Sequence, residues 1–477
     1  MPETRIERDS MGEMEVPADA LYGASTQRAV LNFPVSGYRF GRVFIWALGL
    51  IKHAAAEANE RLGKLDPKLA GAIRQAAQEV MDGKHDDQFV VDIFQTGSGT
   101  STNMNANEVI AHRATQILGG KGATEGSSTS AATKIHPNDH VNMGQSSNDV
   151  IPTAIHVAFV RSVKFDLRGP LHGLTEALKK KARDFDDIVK IGRTHLMDAT
   201  PIRLGQVFSG YAAQIVQAER RIEDVLGRLS ELPIGGTAVG TGINTHPQFA
   251  ELVCQCISQA AGGEFREAWN HFEAQATKDT LVEAAGAVKT LAVSLTKIAN
   301  DIRLMGSGPR CSLGELTLPA TQPGSSIMPG KVNPVICESV MQVCAQVVGA
   351  DAAVTYAAAT LGNFELHIGM PVMAYNLLEA VRLLGNVCGV FTEKCIAGLE
   401  ANRQRCTELI ERSLAMCTSL APLIGYDQAA EIAKDAYQSD KTVRQVAEER
   451  IAAGTLKLDP AQLDEALDPR HMTKPQA

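Results

Sequence analysis

Apolar residues recur at helical spacing through the middle of the chain. Tyr211, Ile215, Ala218, Ile222, Val225, Leu229 and Leu232 are separated alternately by four and three residues, the seam of a long bundle helix. Leu281, Ala285, Val288, Ala292, Leu295, Ala299 and Ile302 repeat the spacing with smaller side chains, so a neighbouring helix can approach closely. Less regular helical patterns cover 151–185, 335–360 and 372–398. Each of these five helices would be on the order of 40 Å long at 1.5 Å per residue. Further helical stretches near 39–62 and 67–82 lie in a mixed region, 1–135, and short helices and turns follow from residue 403. Strand-like alternation is scarce. The pattern predicts an all-α fold. Helices this long carry more apolar face than one small domain covers, so a bundle packed against copies of itself is expected over a monomer capped by the flanking regions.

Composition narrows the picture. A chain of 477 residues is long enough for two to four domains. Hydrophobic residues make up 44% and aromatics only 5%, which favours closely packed helices over β-sandwiches. The net charge of −8 and the lack of a basic stripe argue against nucleic acid as a partner. They leave room for a small anion held by local positive charge. The cysteine count is nine, odd, and without a Cys-x-x-Cys pair, so reduced thiols in a cytoplasmic setting are expected rather than disulfides or zinc. The N-terminal Met-Pro-Glu-Thr-Arg contains no apolar run, so a secretory signal is not expected. No stretch was expected to reach the roughly 20 apolar residues that span a bilayer, and no membrane partner is predicted.

Polar, Gly-rich segments separate the helices: 96–107, 136–149, 192–201, 235–247 and 306–334. The most informative is Gly324-Ser-Ser-Ile-Met-Pro-Gly-Lys-Val-Asn-Pro334. Its glycines and prolines exclude regular structure, and its two hydroxyls, one cation and one amide suit a loop that wraps a small anion. Three other segments share small hydroxyl and amide side chains beside glycine or at a turn: Thr96–Asn105, Gln145–Asp149 and Gly192–His195. Each alone reads as a turn or a helix cap. Each is also expected at a helix start, where free N–H groups attract anions. Four together point to a carboxylate-binding cluster.

These residues resemble class II fumarases of the fumarase/aspartase superfamily, from Gly23-Ala-Ser-Thr-Gln-Arg-Ala to Gly425-Tyr-Asp. Gly324–Pro334 looks like the superfamily signature, and Thr96–Thr100, His136–Asp139, Gln145–Asp149, Gly192–Ala199 and Gly235–Gly242 stand where that family has them. The resemblance implies an all-α fold of three domains, here 1–143, 144–402 and 403–477, whose five-helix bundles join in a twenty-helix homotetramer with shared active sites. It implies reversible addition of water to fumarate, giving malate, with no cofactor and no metal. Ser325 would be the base on carbon, although a free serine is a hopeless base unless loop N–H groups and Lys331 stabilise its alkoxide. His195, paired with Glu338, would act on water. Ser98, Thr100, Ser146, Ser147, Asn148, Thr194, Lys331 and Asn333 would hold the substrate carboxylates and the aci-carboxylate dianion. His136, Asn138 and Asp139 would form a second, non-catalytic anion pocket. His136 and His140 mimic a metal pair, but Pro137 argues against a shared helical face.

The chain departs from the family pattern at His140, where aspartate is usual, at Gly144, where a larger polar or hydroxyl residue is usual, and at His367, where asparagine is usual. The His367 change would add charge near a polar interior. Aspartate ammonia-lyase is the nearest alternative, but aspartases carry glutamine in place of His195 and alanine in place of Gly330. An ammonium group needs no acid to leave, whereas hydroxide does. An inactive helical scaffold is the other alternative, and would be expected to have lost Ser325, Lys331 or His195.

Overall fold

A computed structural model of the chain describes residues 3–119 and 134–475. Among the described residues twelve α-helices precede residue 400: α1 (Ala24–Asn32), α2 (Arg42–Arg61), α3 (Pro67–Met81), α4 (Thr100–Ile117), α5 (Ser147–Ser162), α6 (Arg168–Asp184), α7 (Leu204–Leu229), α8 (Phe249–Ala261), α9 (His271–Ala276), α10 (Asp279–Met305), α11 (Val335–Thr360) and α12 (Met370–Phe391). A π-helical turn, Val163–Leu167, joins α5 to α6. Five further α-helices, of 4 to 14 residues, follow residue 400 among the described residues. Strands among the described residues form only two-stranded sheets. The longer ones are the hairpins β1 (Thr4–Asp9) with β2 (Gly12–Pro17) and β3 (Val189–Thr194) with β4 (Met197–Arg203).

The periodic seams became the buried faces. All seven apolar positions from Tyr211 to Leu232 are buried, and so are all seven from Leu281 to Ile302. α3 starts where expected for its sequence: Asp66 accepts the N–H groups of Lys68 and Leu69, and Pro67 fills the first helical position, where no N–H is needed. The helices expected near 39–62, 67–82, 335–360 and 372–398 are α2, α3, α11 and α12.

The chain forms two compact units. The first comprises Met1–Gly169, Arg220–Ala292 and Ala345–Gly385. Within it α2 packs on α3, α5 and α8. The second comprises Pro170–Glu219, Val293–Cys344 and Asn386–Ala477. Its C-terminal part closes around Ile410, Leu420, Ile432, Val443 and Leu463, with Val189 of β3 packed against them.

α11 corrects one expectation. By length and composition it is apolar enough to cross a bilayer, a test that the core helix of a soluble protein also passes. Its alanines and valines dilute Glu338 and Asp351, which stand too far apart to interrupt the run. Asp351 pairs with Lys289 at 2.7 Å and so ties α11 to α10. Only 33% of the most apolar stretch of α11 is buried within the chain.

Candidate active site

The first unit carries a hydroxyl cluster at the starts of two helices. Gly99, with φ +73°, turns the chain into α4. Thr100 Oγ1 lies 2.7 Å from Ser98 Oγ and 2.7 Å from Ser147 Oγ, so one chain of hydroxyls links the N-termini of α4 and α5. Ser146 caps α5: its Oγ accepts the Asn148 N–H, and Asp149 returns the bond to the Ser146 N–H at 2.9 Å. The second Asp149 oxygen accepts the N–H groups of Gly235 and Thr237 at 3.0 and 2.9 Å. The Asn148 amide donates to the Ala238 carbonyl at 2.8 Å. The Gly-rich segment 235–247 is thus laced to the start of α5. The positive ends of two helix dipoles and three adjacent hydroxyls favour an anion here.

Beneath this cluster lies a residue that the sequence reading missed. Lys52 is 0% exposed and donates to Asn142 Oδ1 and Gln145 Oε1, both at 2.9 Å. Asn103 of α4 donates to the same Asn142 oxygen at 3.2 Å. Burial pulls the Lys52 ammonium down to about 7, opposed by the charge of Asp149. Burial pushes Asp149 up to about 6, opposed by its three N–H donors and then by Lys52. A lone lysine in the apolar run Leu48–Ala56 was the available signal.

The second unit carries Thr194 and His195 in one place and Ser325, Lys331, Asn333 and Glu338 in another. His195 was expected near a helix start. It sits instead at the tip of the β3–β4 hairpin, where Thr194 pairs with Met197. His195 and Leu196 adopt φ +58° and +62°, a two-residue turn in which both positions are left-handed. Such turns select Asn-Gly, so a His-Leu tip is strained, and strain of this kind concentrates at functional sites. The base of the tip is rigid: Arg193 reaches both oxygens of Glu315 at 2.9 and 3.0 Å, and Lys190 reaches one at 3.3 Å. Glu315 is 0% exposed. Thr194, His195 and Leu196 are exposed.

The Gly324–Pro334 loop has no regular structure, as expected, and leads into α11. Its ends are clamped by Gly324 N–H to Lys331 O at 2.8 Å and by the Asn333 amide to Gly324 O at 2.8 Å. Ser325 Oγ accepts two backbone N–H groups, from Ile327 at 3.2 Å and Met328 at 3.0 Å. That is the donor arrangement an alkoxide at Ser325 would require. Lys331 is exposed and has no ion-pair partner among the described residues. Glu338 is exposed in the first turn of α11. Within the single chain, no hydrogen bond or ion pair joins it to His195 among the described residues.

The remaining candidates are placed as follows. His136 Nδ1 accepts the N–H groups of Asn138 and Asp139 at 3.3 and 3.1 Å, while His140 Nδ1 accepts the His136 N–H at 2.9 Å. Both rings therefore serve the turn through Nδ1. Among the described residues no group of three His, Cys, Asp or Glu side chains is arranged to hold a metal. Gly144 has φ +71°, and a Cβ there would approach Thr245 Oγ1 to 2.9 Å. Its missing side chain thus has a local backbone reason. His367 does not add a charge: it is 1% exposed, and burial followed by the field of Lys278 lowers its pKa.

The family described as lyase matches residues 12–349 of this helical chain and so places it among the lyases. A second, described as fumarase C C-terminus, matches 416–474. The chain is 55% identical to the class II fumarate hydratase of Halobacterium salinarum, over 98% of this chain and 97% of that one. It is 52% identical to that of Corynebacterium glutamicum, over 98% and 96%. The crystal structure of recombinant class II fumarase from Schistosoma mansoni superposes with a TM-score of 0.93 at 38% identity, covering 98% of this chain and 99% of that chain. The fumarate lyase:delta crystallin of Brucella melitensis gives 0.92 at 45%, covering 99% and 100%. The chain belongs to the class II fumarate hydratase family.

Proposed function

We propose that the chain hydrates fumarate to (S)-malate, reversibly, by anti addition of water. The observation that carries this reading is the pair of backbone N–H groups on Ser325 Oγ, in a loop that also presents Lys331 and Asn333. In the malate direction Ser325, as alkoxide, takes the weakly acidic proton beside a carboxylate. The resulting aci-carboxylate dianion is stabilised by Lys331, Asn333 and the hydroxyl and amide cluster of Thr100, Ser146, Ser147 and Asn148. His195 gives a proton to the departing hydroxide, and in hydration takes one from the attacking water. Glu338 pairs with His195 and fixes its tautomer.

The site is completed between neighbouring copies in a homotetramer, so that a His195 tip and a Glu338 from different chains meet. Supporting this reading are the exposed Thr194–Leu196 tip, the exposed signature loop and the largely uncovered apolar length of α11. Domains at 1–143, 144–402 and 403–477, a second anion site at His136, Asn138 and Asp139, and a cytoplasmic location belong to the same proposal.

One assay decides among the readings. The ultraviolet absorbance of the conjugated double bond is followed with fumarate, then with aspartate. Loss of fumarate signal without ammonia is the expected result. Ammonia released from aspartate would instead make the chain an ammonia-lyase, and silence with both would make it a scaffold.

A further inference from the structure

His367 is a buried histidine that the proposed reaction does not use. It ends the small hairpin Gly362–Asn363 with Leu366–His367, between α11 and α12. Its ring lies in a slot walled by two glycines: a Cβ on Gly362 would come within 3.1 Å of Cδ2, and one on Gly369 within 3.0 Å of Cε1. Nδ1 accepts the Gly369 N–H at 3.1 Å. Nε2 faces the Ala358 carbonyl near the end of α11 at 3.4 Å. These partners assign the neutral ring with its proton on Nε2.

The backbone that follows the ring lies directly on the hydroxyl segment. A Cβ on Gly97 would fall 2.1 Å from the Ile368 carbonyl oxygen, so only glycine permits this approach. The Met370 N–H donates to the Gly97 carbonyl at 3.2 Å. Gly97 precedes Ser98, and two residues further on Thr100 opens α4. The hairpin therefore sets the height of the loop from which both hydroxyls project.

The charged neighbour of the ring is Lys278, 3% exposed and held by the carbonyls of Ala274, Gln275 and Thr277. Glu273 and Asp279 face Lys278. No carboxylate is bonded to His367 among the described residues. A proton on Nδ1 would abolish the bond from Gly369 and place a second buried cation near the first.

We propose that His367 is a positioning residue for substrate binding: its neutral ring holds residues 368–370 against Gly97, and protonating the ring releases Ser98 and Thr100. This rests on the reading of those hydroxyls as carboxylate ligands. The sign follows from burial. The folded ring is harder to protonate than the unfolded one, whose value is 6.5, so the hold is complete above that value and is lost as pH falls through the lower, folded value.

The test compares the whole protein with His367→Asn, whose Oδ1 can take the place of Nδ1 and does not titrate. Activity on fumarate is measured between about pH 8 and pH 5, each protein normalised to its own value at the upper end, with hydrogen exchange in peptide 96–100 measured alongside. Below the ring's pKa, kcat/KM of the unmodified protein should fall about tenfold per pH unit beyond that of the variant, mainly through KM, and protection from exchange, taken relative to the intrinsic amide rate at each pH, should fall only in the unmodified protein. Coincident profiles, or exchange indifferent to the substitution, would overturn the assignment. Exchange that responds in a chain without hydratase activity would uphold the positioning role and reject the hydratase reading.

Discussion

The hydroxyl cluster of the first unit and the signature loop of the second are built in opposite ways. Around Thr100 nearly every polar atom has a partner in its own chain: Ser98, Thr100 and Ser147 bond in series, and Asp149 holds Ser146, Gly235 and Thr237 together. Around Ser325 and His195 the backbone is fixed but the chemistry is exposed. Ile327 at 84% and Leu196 at 81% are among the most exposed apolar side chains of the chain. On the proposed reading, the groups that would hold substrate are preorganised within one chain, because their hydroxyl series and the Ser146 cap form whether or not substrate is bound. The proposed roles of Ser325 and His195 need a water-poor setting, which an exposed loop and hairpin tip acquire only when something covers them.

The largest effects are expected in the exposed half. Ser325→Ala should lower kcat by about 10²–10⁴-fold while leaving the circular dichroism and sedimentation of the protein unchanged. Retention of more than a tenth of the activity would remove Ser325 from the chemistry. His195→Asn comes next, with a loss of about 10²-fold. Asparagine tolerates the left-handed backbone at this tip better than most residues, so the variant should fold normally and the loss should report on proton transfer. Full activity in His195→Asn would leave the hairpin tip a purely structural turn.

The same contrast explains what could be read from the sequence. Periodic seams were legible because burial repeats: every seam residue of α7 and α10 is inside. The Gln145–Asp149 segment was legible as a cap, since Ser146 and Asp149 follow a local rule, whereas Thr96–Asn105 enters α4 through Gly99 with no side-chain cap. The hairpin was not. Val189 to Arg203 contains two bulky residues where a tight turn favours Asn-Gly, and the ladder that overrides this preference slips at Gly192 and is anchored by Glu315, more than a hundred residues away. Lys52 was equally hidden, because a lysine on a helix normally reaches water and only the tertiary fold encloses this one. The charge expected at His367 failed for the same reason: burial decides the proton.

One enclosed histidine should make the cap-laced unit sensitive to acid. His156, fully enclosed in α5, donates to the Glu231 carbonyl at 2.9 Å, and burial lowers its ring to about 4. Its unfolded value is 6.5, so at this group the unfolded chain binds the proton first, and its contribution to stability falls by about 3 kcal/mol as pH drops from 6.5 toward 4. Asp149 works against it: raised from 3.8 to about 6, it takes up a proton first in the folded chain and stabilises over the same range. His156→Gln retains a donor but cannot charge, so the variant should be spared the histidine's loss, which urea unfolding of both proteins at the two ends of the range would measure. An unchanged slope would mean that other buried groups, among them His367, govern acid sensitivity.

The smallest effect tests whether the hydroxyl series binds substrate or only joins two helices. Thr100→Val keeps the shape and removes both 2.7 Å contacts. Ser98 and Ser147 would then keep their places through the backbone turns at Gly99 and Ser146, so stability should change by no more than about 1 kcal/mol. A carboxylate that loses one hydroxyl donor should bind about tenfold more weakly, raising KM with kcat nearly constant. Thr100→Ser, which restores the hydroxyl without the methyl group, should recover most of the affinity. If instead valine lowers kcat and leaves KM alone, the hydroxyl serves the dianion rather than the ground state, and the division into a holding half and a reacting half fails at Thr100.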